Sequence, residues 1–335
     1  MTPATHTLDE VDKRLLEEIQ QRFPLDHRPF QILGEKLGLS EQACVERIDR
    51  LKTTQVIRRI SAIFDARALG YQITELAMKV DPARVDDAAR LVSQHPGVSY
   101  VDALNDAFNL WVIVAVPPAE TLEHSTTALH TLARAEETIA LPTLRLYKGG
   151  ARRGVSDVGA WPDRPADVYE EPPRGVPKPA LTEADIRFIR IAQEDLPLLE
   201  LPFAVWAEQA ERTEEEIFAW VKRAEHLGYL QTFAALVSHP EGAGLIDAMV
   251  VWHVPPQDVD AVGEEAARFR EVTRCYRRPV FPSWPYALFT VIRAPTSAAC
   301  MDVARRIEER AGRVPHKHLF LTREYTRTRL KLFSS

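Results

Sequence analysis

Apolar and polar positions follow two periods along this chain, and the periods change in the same order twice. Val11, Leu15, Leu16 and Ile19 recur at helical spacing, which puts one face of a helix in a core. Thr7 and Glu10 ahead of them read as a capping box, the hydroxyl accepting from an orphan backbone N–H. A second helix is predicted over 30–37, stopped at Gly38-Leu39-Ser40, and a third from Glu41 to about Lys52. Three short helices with a glycine turn before the last are the pattern of a helix-turn-helix. The period then shortens. Residues 56–64 and 76–80 read as strands, 85–94 as a helix ended by Pro96-Gly97, and 98–101 with 110–116 as two more strands. That order is the β-α-β-β-α-β unit of a ferredoxin-like sandwich.

The same pattern returns at an offset of 173. Leu8-Asp9-Glu10 falls on Leu181-Thr182-Glu183, Asp12 on Asp185, Arg28-Pro29-Phe30 on Leu201-Pro202-Phe203, and Arg50 on Arg223. Farther on the offset drifts, so that Asn109-Leu110-Trp111 matches Ala287-Leu288-Phe289. Between the copies, Gly and Pro crowd from Gly149 to Pro179, a composition that sustains neither helix nor central strand. The expected fold is α+β: two tandem copies of a winged helix-turn-helix followed by a ferredoxin-like sandwich, packed as an intramolecular pseudo-dimer. The expected domains are residues 1–62 and 63–148, a linker at 149–180, then 181–232 and 233–335.

Charge bears on what such a fold does. Forty-two Lys plus Arg against 48 Asp plus Glu give a net charge of -6, the wrong sign for a protein that lives on phosphate backbones. The helices that would enter a DNA groove start with Glu41-Gln42 and Glu214-Glu215-Glu216, carboxylates that phosphates repel. DNA is therefore not the expected partner, and structural packing is the expected role of these domains. The longest apolar run, Leu110 to Val116, is far below the roughly 20 residues of a bilayer span. With no signal-peptide pattern behind Met1, and with Cys44, Cys275 and Cys300 forming no CxxC, a cytoplasmic protein with reduced thiols is expected.

The architecture resembles the Lrp/AsnC family of transcription regulators, and longer strings narrow the likeness. The first copy reads Val-Ile-Arg-Arg-Ile-Ser-Ala-Ile-Phe-Asp-Ala-Arg-Ala-Leu-Gly-Tyr over 56–71, then Phe108-Asn109-Leu110-Trp111. The second reads Phe-Ala-Ala-Leu-Val-Ser-His over 233–239, then Cys275-Tyr276-Arg277-Arg278-Pro279 and Trp284-Pro285-Tyr286-Ala287-Leu288-Phe289-Thr290. These are similar to the siroheme decarboxylases, in the fused form that joins a D-type and an L-type half for heme d1 biosynthesis. The resemblance implies loss of carbon dioxide from two acetate side chains of siroheme, giving didecarboxysiroheme. It implies no cofactor beyond the substrate's own iron, with the macrocycle as electron sink, and homologous subunits or a homo-oligomer as partners. A transcription regulator and a non-catalytic tetrapyrrole-binding subunit are the alternatives.

A flat macrocycle fringed with carboxylates calls for apolar walls and a rim of fixed cations, and arginine's planar fork suits carboxylates. The substrate-binding candidates are Arg274, Arg277, Arg278, Trp284 and Tyr286, with Arg58 and Arg59 comparable in the first copy. In a strand, Arg274, Tyr276 and Arg278 share one face while Arg277 joins Cys275 on the other. A solvated charged strand is the structural alternative for any one of these arginines. The carbon left after decarboxylation needs a proton from a placed acid. His239 is the first candidate and Tyr276 the second; His239 equally fits a ligand of the siroheme iron, or a cap on the turn before Pro240. The chain departs from the family's pattern. Ser99-Tyr100-Val101-Asp102 stands where D-type halves carry His-Asn-Tyr, Arg274 and Arg293 stand where L-type halves carry histidines, and the usual His-Arg pair is His239-Pro240. Near the C-terminus, Arg323, Tyr325, Arg327, Arg329 and Lys331 alternate onto one strand face, which either meets substrate carboxylates or, the favoured reading, protects a sheet edge.

Overall fold

A computed structural model describes residues 8–149, 179–237, 245–328 and 330–334. The described residues form two compact units: one from 8–70, 179–237 and 331–334, the other from 71–149, 245–328 and 330. Each unit takes a part from both copies. The Pro/Gly-rich linker and His239 fall outside the described residues, apart from the linker's ends.

The first unit holds both helix-turn-helix bundles: α1 (Glu10–Gln21), α2 (Pro29–Leu37) and α3 (Glu41–Thr53), and α6 (Glu183–Ala192), α7 (Pro202–Ala210) and α8 (Glu214–His226). The α1 cap differs from expectation. Thr7 lies outside the described residues, and Asp9 caps the helix in a box with Asp12. Thr182 and Asp185 make the expected box on α6. Strand β1 (Ile57–Phe64), expected as a wing of its own bundle, pairs antiparallel with β7 (Leu230–Val237) of the other copy. That ribbon joins the two bundles. The acidic starts of α3 and α8 are occupied within the unit. Arg28 pairs with Glu41 and lies 2.7 Å from Glu200, while His27 meets Glu214 at 2.9 Å and Glu215 at 3.5 Å. Glu214 also holds the His27 imidazole above its usual pKa. The C-terminus returns here, where the Gln193 amide bonds the backbone N–H and C=O of Leu332 at 2.8 and 3.0 Å.

The second unit holds two five-stranded sheets with helices on their outer faces. The first copy supplies β2 (Gln72–Lys79), α4 (Val85–Val92), β3 (Val98–Leu104), β4 (Leu110–Val116), α5 (Leu122–Ala133), β5 (Glu137–Leu141) and β6 (Arg145–Lys148). The second supplies β8 (Ile246–Trp252), α9 (Val259–Ala267), β9 (Val272–Arg277), β10 (Leu288–Ala294), α10 (Ser297–Arg310), β11 (His316–Leu319) and β12 (Leu321–Arg327). The sheets run β12-β3-β4-β2-β5 and β11-β8-β10-β9-β6, so each copy's last strand joins the other copy's sheet. Domains cut at 63–148 and 233–335 miss this exchange, because a strand's own residues do not say which edge it will meet.

Each exchanged strand is latched by the same three groups. On β6, Tyr147 bonds Asp260 of α9, which also meets Arg145 at 2.7 Å; on β12, Tyr325 bonds Asp86 of α4, and Arg323 lies 3.1 Å away. In both, the guanidinium sits over the neighbouring tyrosine ring, at 5.0 and 4.9 Å. The tyrosine bond is the main reason that each carboxyl lies below its usual pKa. β12 is an edge strand, as expected of its cationic face, but its described cation Arg323 is spent on the latch.

Candidate functional site

Strand alternation divides the second unit's residues cleanly. On β8, β9 and β10, Val250, Trp252, Cys275, Leu288 and Ile292 face the helices, where Cys275 Sγ–H donates to the Gly263 carbonyl. Burial pushes that thiol far up in pKa, which removes it as a nucleophile. Tyr276, Phe289 and Val251 face the opposite sheet with Trp111, Leu104, Ile139 and Leu141 of the first copy. The two family-like strings meet in this layer. Trp284 packs edge-on against Phe108 and Trp111 at 5.5 and 5.6 Å and against Tyr286 at 5.0 Å.

The arginines take different roles. Arg278 is a buried cation, not an open rim group: it pairs with Glu75 of β2 at 2.8 Å, both side chains 4% exposed. Its Nη1 donates to the Leu141 carbonyl, and its guanidinium stacks over Tyr276 and Phe289 at 4.6 and 5.2 Å. Arg277 points the other way, 35% exposed and 3.7 Å from Asp260. Arg274 is half-buried on the Tyr276 side, opposite Val291 in register. Arg58 and Arg59 lie on β1 in the other unit, where Arg59 Nε donates to Ser61 Oγ at 3.1 Å. Tyr276 and Trp284 are buried between the sheets. The histidine-replacing Arg293 is bound to Asp247 at 2.9 Å.

Beside this layer opens a cleft of about 940 Å³, the size of pocket that takes a large cofactor-like molecule. Its walls include Val280, Phe281, Pro282, Pro285 and, from the first copy, Leu144; Leu144 and Val280 are 58% and 53% exposed. Arg277, the exposed His253 and the largely buried Arg278 line it. The exchanged β6 makes this a joint construction, since the Leu144 N–H donates to the Arg277 carbonyl at 2.8 Å. His253 escaped the sequence reading. Its only signal is a histidine between a strand end and Pro255-Pro256. Glu75 escaped too, because one carboxylate in a half-apolar strand reads as a solvent position.

The chain is similar over its whole length to known proteins. A siroheme decarboxylase of Hydrogenobacter thermophilus is 30% identical, across 97% of this chain and 96% of that one. The chain belongs to the siroheme decarboxylase family. The siroheme decarboxylase NirDL subunit of Paracoccus pantotrophus is 32% identical, covering 95% of each chain. The crystal structure of the siroheme decarboxylase NirDL with an iron-uroporphyrin III analogue superposes with a TM-score of 0.74, at 28% identity over 97% of this chain and 95% of that one. Family models agree in duplicate: an AsnC-like ligand binding domain matches 68–148 and 243–326, and a siroheme decarboxylase NirDL-like HTH domain matches 12–58 and 185–230. Among the described residues, no helix of this family member is long and apolar enough to cross a membrane.

Proposed function

We propose that this chain removes carbon dioxide from two acetate side chains of siroheme, giving didecarboxysiroheme for heme d1 biosynthesis. The observation that carries the reading is the apolar cleft with Arg277 on its wall. Apolar walls receive the macrocycle, and the guanidinium takes a carboxylate. In each cycle the bond between side-chain carbon and carboxylate breaks, and carbon dioxide leaves. The electron pair stays on that carbon, spread into the conjugated ring, until a proton forms the methyl group. A dry, oriented carboxylate favours that cleavage. His253 is the cleft's titratable donor for the proton, with His239 the second candidate as donor or iron ligand and Tyr276 the third. Homologous subunits remain proposed partners, consistent with the name subunit given to the Paracoccus pantotrophus relative.

Anaerobic incubation with siroheme, followed by mass analysis of the extracted tetrapyrrole, tests the reading. Loss of one or two carbon dioxide masses is expected. Retained colour at unchanged mass, with homologous subunits added, would make the chain a carrier instead.

A further inference from the structure

Three of the buried donors in the inter-sheet layer have no acceptor. Tyr276 Oη, Trp284 Nε1 and Arg278 Nε are closed off from solvent without a hydrogen-bond partner among the described residues. All three side chains border one ring: Phe289 lies 5.8 Å from Tyr276 and 6.4 Å from Trp284 between centroids, and 5.2 Å from the Arg278 guanidinium carbon. An unpaired buried donor is costly, and three around one ring is not what packing alone selects. Each can donate, and an ionised carboxylate can only accept.

Trp284 sits on a small hairpin whose Phe281 and Tyr286 pack against the same layer. Phe281 and Trp284 exchange both backbone hydrogen bonds at 2.9 Å, and Pro279, Pro282 and Pro285 stiffen the segment. At its tip, Ser283 Oγ–H donates to Glu137. Phe281, Pro282 and Pro285 also form a wall of the cleft, so the element that carries Trp284 is one a bound macrocycle would touch.

We propose that these donors form a carboxylate subsite, opened when the 279–286 hairpin shifts, which holds one side-chain carboxylate of the tetrapyrrole that the enzyme does not remove. The inference rests on the proposed siroheme reading. Donors around a carboxylate stabilise its charged ground state more than the neutral carbon dioxide leaving it, so a group held there keeps its carboxylate. Arg277, at the open wall, anchors a second carboxylate, and the reacting acetate lies in the apolar part of the cleft. Anchoring one retained group fixes which acetates reach that region. Tyr276, Trp284 and Arg278 thereby determine specificity.

Tyr276→Phe and Trp284→Phe remove one donor each. Iron-uroporphyrin III is the probe for binding, and siroheme for turnover. Each variant should bind iron-uroporphyrin about 10- to 100-fold more weakly and raise KM for siroheme in step, and Trp284→Phe should leave kcat within about threefold. Both ligand-free variants should melt no lower than the parent, because an unpaired donor has been removed. Unchanged affinity in both variants overturns the subsite. So does a fall in melting temperature that accounts for the lost affinity, since the donors would then serve the fold. If the parent binds iron-uroporphyrin but releases no carbon dioxide from siroheme, the decarboxylase reading fails while the binding comparison still decides the subsite.

Discussion

Replacing Glu75 by Leu leaves Arg278 as a buried cation without its counter-ion. Removing one partner of a buried pair costs about 3–5 kcal/mol. Arg278 keeps the Leu141 carbonyl and its stack on Tyr276 and Phe289, which places the expected loss near the lower end, about 3 kcal/mol. For a unit in this size class, about 2–4 °C of melting temperature goes with each kcal/mol, so the drop should be about 6–12 °C. Both partners are almost fully enclosed, so the loss should change little on raising salt, unlike that of an exposed pair. The double variant Glu75→Leu with Arg278→Met removes both charges and should recover to within about 1 kcal/mol of the parent, because an apolar pair of similar volume is often as stable. Differential scanning calorimetry with urea titration of the parent, both single variants and the double variant closes the cycle. A loss below about 1 kcal/mol in Glu75→Leu, or no recovery in the double variant, would refute the claim that the pair is dry and coupled.

Cleavage within the linker should leave the halves together, because β1–β7 pairing and the exchange of β6 and β12 both cross between copies; separate elution of two fragments after proteolysis would count against it. Duplex DNA should bind only weakly even at low salt, and sub-micromolar sequence-selective binding in a fluorescence titration would restore the regulator reading. Burial raises the Asp185 carboxyl, but bonds from Thr182, Arg212 and Trp220 outweigh it and bring it to about 2. Its share of stability, about 2 kcal/mol, is therefore full above the unfolded pKa of 3.8 and lost as pH falls toward 2; an Asp185→Asn variant whose acid unfolding curve matches the parent's would contradict this. His239→Ala should turn siroheme over about 100- to 10,000-fold more slowly if the histidine is the acid, whereas a shifted absorption spectrum on binding would mark it as the iron ligand and parent-like turnover would exclude both roles.

Periodicity made most of the elements legible. The alternation of 274–278 separates Tyr276 and Arg278 from Cys275 and Arg277 as a strand must, and the structure keeps that division. Pairing partners were less legible, since β6 and β12 carry no local mark of the sheet they join. The same gap hid the pairing of Glu75 with Arg278, whose partners are 203 residues apart in sequence. Residue type also says nothing about solvent access. The aromatic and cationic candidates were legible as chemistry, yet Tyr276, Trp284 and Arg278 are buried while Arg277 and Tyr286 are only partly so. The acidic helix starts were read as repelling DNA, but their ion pairs needed the fold: Arg28 meets Glu41 within one bundle, and His27 meets Glu214 across the two.

Sheet register aligns the two copies residue by residue and shows where duplication was kept. Leu110 lies opposite Ala103 as Leu288 lies opposite Arg277, and Leu104 and Arg278 make the same backbone bond to the next strand's start, at 3.0 and 2.9 Å. The latches repeat in full: Arg323, Tyr325 and Asp86 against Arg145, Tyr147 and Asp260. The cleft's arginines do not repeat. Where the second copy has Arg277 and Arg278, the first has Ala103 and Leu104, and its corresponding cleft of about 600 Å³ is lined by Asp86, Asp106 and Asn109. Those groups are already engaged, Asp106 by Lys317 and Asn109 by the Val80 backbone. A carboxylate-fringed ligand would meet there two carboxylates already paired with Lys317 and Arg323, and no arginine in the places of Arg277 and Arg278. The first copy instead contributes support to the second copy's cleft, through Glu75 on Arg278 and Leu144 on the wall. Exchange of the terminal strands puts residues of each copy against the sheet of the other, as Leu144 beside β6 shows at the second copy's cleft.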